Sequence, residues 1–395
     1  MEVQVLSWAL NKNKRLMAKS VNLGSVMEGI FAIAVGLIMC ESDAPGRKLD
    51  VSSVNRIRSQ VKNSLYTRAG FTKVLFRGKQ FRIKTKGSQP DYVPDFVTVT
   101  LKVSLKEGEV GSAFGKKFFD NTKESVIQTL IKQVVTSATK YKQDLRKAQD
   151  QYLLNNKPEK VDVVVVADGV GGEQSGGDLK GDVAVNITIN GTPIINKDLN
   201  FSLKAGKTPS KTISNESPYT SMMRVNETFQ LGIDENRYEF LAGAARTPKE
   251  KYEKVKYTTM FYNEVLDGLV DSFASGRGSV KAWDFLKKAA FGKDYAVVVS
   301  IGASKTNESS LEYINALQKR YPTLIAERAP KPNGPNVKFV LSEIKKPLFQ
   351  IRFKNRSKIL GSDEAQINEL KMMIETEAIF KQPKDWDPSL GNIGV

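Results

Sequence analysis

Apolar residues change their spacing several times along the 395-residue chain, and each change marks an element. Residues 19–40 read as a buried helix. In residues 51–67, Val51, Val54, Ile57, Val61 and Leu65 recur at helical steps, which predicts an amphipathic helix. The segment FTKVLFRGKQFRIKTKG then reads as a basic hairpin turning at Arg77-Gly78, with Phe71, Phe76 and Phe81 set among the cations. Such rings either stack on bases or form the hairpin's own core face. Residues 91–107 alternate apolar and polar through FVTVTLKVSL, a strand. Residues 120–155 return to helical spacing, with Val126, Leu130, Val134, Ala138, Tyr141 and Leu145 on one stripe.

Residues 161–167, VDVVVVA, form the continuous apolar run typical of a central strand and lead into a glycine-rich loop, DGVGGEQSGGDLKGD. Residues 182–189 predict a further strand, Asn190-Gly191 a tight turn, and residues 201–206 the return. Residues 248–290 read as helices broken at Ser275-Gly276-Arg277-Gly278, residues 294–301 as a buried strand, and residues 307–320 as a helix. The connector APKPNGPN precedes a basic strand pair and a terminal segment, residues 363–380, whose type the spacing leaves open. The sum is a mixed α/β chain with no fixed-period repeat.

Composition removes whole classes of chemistry. The chain has no histidine and one cysteine, so hydrolases and metal sites that require an imidazole or a thiolate cluster are excluded. Cys40 reads as a small apolar core residue, consistent with a reducing compartment. The longest apolar run carries Glu28 and is too short to span a bilayer, and the first residues lack a signal-peptide pattern, so a cytoplasmic protein without a membrane partner is expected.

The 60 Lys and Arg against 43 Asp and Glu give a formal charge of +17, and it is concentrated. Between Arg47 and Lys86, twelve basic residues face Asp50 alone; between Pro335 and Lys358, seven face Glu343 alone. These two stretches account for the whole net charge. Either they are two solvated faces or they form a polyanion footprint, and their concentration favours the footprint.

Pleat parity narrows the candidate chemistry to one place. In DVAVNITI, Val183, Val185, Ile187 and Ile189 share a face, which leaves Asp182 on the other. In FSLKAG, Phe201, Leu203 and Ala205 share a face and Ser202 and Lys204 the opposite one. An antiparallel pairing of the two strands would set Asp182 beside Lys204 on a polar face.

At these residues the chain resembles the PD-(D/E)XK nuclease superfamily, the restriction-endonuclease-like fold. Gly181-Asp182-Val183 matches the family's first acidic element, Ser202-Leu203-Lys204 its acidic-x-Lys signature, and Glu28 in GSVMEGIFAIA its helical carboxylate. LFQIRFKNRSK is similar to the late strand that carries a DNA-facing arginine in some restriction enzymes. There Phe349, Ile351 and Phe353 face inward while Gln350, Arg352 and Lys354 face out. Ser202 departs from the pattern, since it stands where the second carboxylate is usual.

The resemblance implies a mixed central sheet flanked by helices, with additional helical and β-hairpin elements. It implies one nuclease domain over residues 1–395 with insertions: a basic helix-hairpin region at 47–110, the candidate catalytic sheet at 161–206, a largely helical insertion at 207–290 and a basic strand region at 335–358. Mg²⁺, with Mn²⁺ as an alternative, would be held by Asp182, Glu28 and the Leu203 carbonyl, with Glu216 a weaker substitute for Glu28. Lys204 would orient the attacking water and stabilise developing charge, with Ser202 beside it. Arg77, Lys79, Arg82, Lys84, Arg352, Lys354 and Arg356 would contact DNA, and cutting both strands of a palindrome would favour a homodimer.

The plain reading of each residue stays beside this one: Asp182 as a turn exit, Lys204 as a solvated strand lysine, Glu28 as a helix flank. For the chain as a whole, the alternatives are a non-enzymatic DNA-binding or nucleoprotein-structural protein and an RNA-directed protein. Two further motifs fall away. Ala205-Gly206-Lys207-Thr208 lacks the glycine a phosphate loop needs at position 201, and Asp95 and Lys106 lie on one strand, roughly 35 Å apart.

Overall fold

The computed structural model describes residues 23–40, 59, 70–78, 94–104, 124–141, 159–168, 181–194, 200–205, 212–239, 245–274, 276, 278–293, 295–301, 306–329, 336–355, 357–361, 363–367, 370–376 and 378–380. The chain divides into two compact units. The first comprises Met1–Gly171, Asp182–Leu199 and Ala205–Lys207, and the second Gly172–Gly181, Asn200–Lys204 and Thr208–Val395.

The first unit is a mixed sheet with helices on one face. Helix α1 (Leu23–Cys40) is buried around nearly its whole circumference from Met27 onward, as its lack of any polar stripe dictates. Strands β1 (Gly70–Gly78) and β2 (Phe96–Ser104) pair antiparallel, β2 and β3 (Lys160–Asp168) parallel, and β3 and β4 (Val183–Ile189) antiparallel. The parallel step needs a long crossover, and α2 (Glu124–Lys140) lies within it.

The inward rows are Val97, Val99, Leu101 and Val103; Val161, Val163, Val165 and Ala167; and Val183, Val185, Ile187 and Ile189, all buried. Gly36 lets α1 approach this face closely, since a Cβ there would sit 2.7 Å from Leu75 of β1.

Asn190 and Gly191 both take positive φ, 47° and 87°, as the two-residue turn into β5 (Thr192–Ile194) requires. The Asn190 side chain also accepts a hydrogen bond from Lys160 N at 3.0 Å, tying the turn to β3. The basic hairpin expected to turn at Arg77-Gly78 does not turn there: Gly78 still pairs with Val97, and β1 has β2 as its partner. The helix expected at residues 51–67 and the far arm of that hairpin lie outside the described residues, as does most of the glycine-rich loop.

The second unit is built on an antiparallel sheet in the order β10 (Leu324–Arg328), β11 (Asn336–Leu341), β12 (Lys346–Asn355), β15 (Leu370–Glu375), β7 (Thr212–Glu216). One face buries Val337, Phe339, Leu341, Phe349, Ile351, Phe353, Met372 and Ile374. Helices α3 (Pro218–Phe229), α4 (Pro248–Ala274), α5 (Gly278–Phe291) and α6 (Leu311–Arg320) contribute to the same core. Stacked rings define it: Phe339 on Phe349 at 4.1 Å between centroids, and Tyr262 of α4 on Phe353 at 3.6 Å.

The expected break between α4 and α5 is present, with Gly276 at φ 76°. Strands β6 (Asn200–Ala205, of which residues 200–204 belong to this unit), β8 (Val297–Ile301) and β9 (Thr306–Glu308) lie side by side, and the pair β13 (Lys358–Ile359) and β14 (Ala365–Gln366) completes the unit's strands. The stretch 207–290 is helical in α3, α4 and α5 but opens with β7, and the unsettled terminal segment is the strand β15 followed by a 3-10 turn, Ala378–Phe380. The chain is thus mixed α/β, with a mixed sheet and several helices.

Candidate functional site

The candidate acidic residue Asp182 immediately precedes β4, half-buried at the sheet end. The inward row of β4 begins at the next residue, Val183, so Asp182 continues the parity of the opposite, polar row. Glu28 sits on α1, 9% exposed, among the apolar side chains that cover the inward face. Both belong to the first unit.

Ser202, Leu203 and Lys204 lie on β6 in the second unit. Phe201 and Leu203 are buried, as parity requires. Ser202 is buried as well, at 1% exposure, so the row expected to be polar is covered at that position, and Lys204 is half-buried. Each of Glu28, Asp182, Ser202, Leu203 and Lys204 has an interaction partner within the protein. Glu216 is the last residue of β7 and pairs with Met372. Among the described residues no group of three or more acidic or thiol side chains is arranged to hold a metal ion.

Of the residues expected to contact DNA, Arg77 is exposed near the end of β1, and Arg352 and Lys354 are half-buried on the outer row of β12. Lys79, Arg82, Lys84 and Arg356 lie outside the described residues. Arg352 is held rather than loose. Its Nη2 donates to Glu375 Oε1 at 2.7 Å, and Gln350 Nε2 donates to the other carboxylate oxygen at 2.6 Å. Met373 Sδ lies 3.7 Å from the same Nη2.

Two residues of this cluster were not legible in the sequence. Glu375 and Lys371 come from the terminal segment, and only the β12–β15 register brings them opposite Gln350 and Lys354. No helix among the described residues is long and apolar enough to cross a membrane. Comparison with protein-family models, characterised proteins and solved structures gives no match.

Proposed function

We propose that the chain is a metal-dependent endonuclease of restriction-enzyme-like type, acting on double-stranded DNA. The observation that carries the reading is local: Asp182 stands at the entry of one strand and Lys204 one residue before the end of another, with Leu203 buried beside it. The resemblance asks for that placement on strands. The two basic stretches of the chain supply the charge a nucleic-acid substrate needs.

Asp182 offers the carboxylate oxygen that Mg²⁺ prefers. Glu28, on the helix over the inward face, lies on the other side of the sheet from the row of Asp182 and does not join it in one donor set. When bound, such an ion polarises the phosphoryl oxygen and lowers the pKa of water. The protein's own part falls to Lys204, whose ammonium orients the water and offsets charge developing on phosphorus. None of this needs histidine, which the chain lacks.

The test is cleavage of supercoiled plasmid with Mg²⁺ or Mn²⁺, comparing the parent chain with Asp182→Ala, Lys204→Ala and Glu28→Gln. Cutting falls by about 100-fold or more in the first two, the scale typical of lost acid–base or electrostatic groups. Equal cutting by all four sinks the assignment.

A second reading has one observation in its favour. Ser202 occupies the position of the usual second carboxylate and is buried, which suits a protein that binds DNA without cutting it. In that case duplex binding is salt-dependent and indifferent to metal.

A further inference from the structure

We propose that the polar face of the sheet β10-β11-β12-β15-β7 binds the phosphate backbone of nucleic acid, with Arg352 as its fixed contact and Glu375 and Gln350 as the residues that position it. This rests on the nucleic-acid reading above, but not on cleavage.

Register assembles the surface. Phe349, Ile351 and Phe353 turn into the core, so Gln350, Arg352 and Lys354 occupy the other row of β12. Lys338 of β11 lies opposite Gln350, and Lys371 of β15 lies opposite Lys354. Neighbouring strands are about 4.8 Å apart and alternate residues about 6.7 Å, so Lys338, Arg352, Lys354 and Lys371 fall within a patch of roughly 15 Å. The acidic groups on this face of the four strands β10, β11, β12 and β15 are Glu375 and Glu327, the latter opposite Lys338.

Duplex DNA presents one phosphate about every 1.7 Å of axis, a far denser charge than a single small anion offers.

Arg352 is arranged for such a ligand. Glu375 engages Nη2, and Gln350 fixes the Glu375 carboxylate from its other oxygen, so the guanidinium plane is set before any ligand arrives. Nη1 has no partner among the described residues, and the side chain remains 29% exposed. With Nε buried, a planar fork held at one corner presents its Nη1 donors to a phosphate at low entropic cost. In this arrangement Glu375 aids anion binding although it is itself negative.

The experiment uses the full chain with a labelled duplex, in chelator so that no cutting occurs, and reads anisotropy over a salt series. The triple variant Lys338→Gln/Lys354→Gln/Lys371→Gln flattens the dependence of log K on log salt by about 2 to 3, at about 0.9 per phosphate contact. Glu375→Ala weakens binding about tenfold, the equivalent of one contact, although it makes the chain more positive. Gln350→Ala weakens it in the same direction with no change of charge and serves as the second variant if Glu375→Ala melts early.

A folded triple variant with the parent slope overturns the surface. Tighter binding by Glu375→Ala, or parental binding by Gln350→Ala, overturns the positioning role. Binding to anionic lipid vesicles but not to duplex overturns the partner. If the parent chain binds no duplex at low salt, this inference and the nuclease reading fail together; binding without cleavage in Mg²⁺ sinks the nuclease reading alone.

Discussion

Arg352 and Glu375, 23 residues apart in sequence, meet across β12 and β15 with Nη2 and Oε1 2.7 Å apart. Their side chains are 29% and 14% exposed, so the pair is partly shielded from water and is worth more than a surface ion pair. Arg352→Met keeps much of the stem's packing but leaves the Glu375 carboxylate with Gln350 as its partner. The expected loss is about 1–2 kcal/mol, and each 1 kcal/mol lowers the melting temperature by roughly 2–4 °C in a unit of this size. A thermal melt indistinguishable from the parent would mean that solvent screens the pair completely.

Two glycines separate tolerable from intolerable crowding. A Cβ on Gly278 would collide with the Phe273 ring, a rigid group that also packs against Phe229 and Phe339 at 6.3 and 5.5 Å. Gly278→Ala therefore displaces an aromatic cluster and costs about 1–3 kcal/mol. At Gly36 the nearest atom is the terminal methyl of Leu75, a flexible, half-buried side chain, and alanine is the better helix former by about 1 kcal/mol. Gly36→Ala is expected to be near neutral. Denaturant midpoints of the two variants decide the comparison, and equal losses would contradict it.

Thr258 of α4 is fully buried, yet its hydroxyl has no hydrogen-bond partner among the described residues. A buried, unpartnered polar atom costs about 1–3 kcal/mol, and valine has nearly the same shape. Thr258→Val should raise the melting temperature by a few degrees, measured by differential scanning calorimetry. A lowered melting temperature would show that the hydroxyl is in fact bonded. Tyr262, one turn later on the same helix, is in a similar position: its hydroxyl is buried without a partner among the described residues, and burial pushes its phenol far above the ordinary tyrosine range.

Elements with one dominant cue were legible in the sequence. The all-round apolar α1, the valine run of β3, the Asn190-Gly191 turn and the glycine break before α5 each follow from local chemistry alone. The strand β15 was not, because LKMMIE is made mostly of residues that favour helices. It becomes a strand because Met372 and Ile374 alternate into a core built by distant residues and pair with Phe353 and Ile351.

The candidate site divides in the same way. Periodicity put Asp182 at a strand entry and Lys204 on a strand, but parity assigns a row and says nothing of what covers it, so the burial of Ser202 could not be foreseen. Likewise nothing in the basic stretch 335–358 points to Glu375 or Lys371, which reach it through pairing of strands.

The start of α4 carries a pH-dependent contribution whose sign follows from its geometry. Thr247 Oγ1 accepts from Glu250 N at 3.2 Å, while the Glu250 carboxylate accepts from Arg246 N at 2.6 Å and from Thr247 N at 3.2 Å, a reciprocal capping box. The Arg246 N–H first, and the Thr247 N–H second, hold the Glu250 carboxyl below the usual carboxylate range. A folded-state pKa lowered in this way stabilises the protein at every pH above the unfolded glutamate value, and that stabilisation is lost as pH falls through the folded one. Glu250→Gln removes the charge but keeps a capping oxygen. The parent should therefore melt above the variant near neutral pH, and the gap should close on acidification below the ordinary glutamate range. Melting temperatures of both proteins across an acid series test this; a gap that stays constant with pH would show that the charge on Glu250 contributes nothing to the helix start.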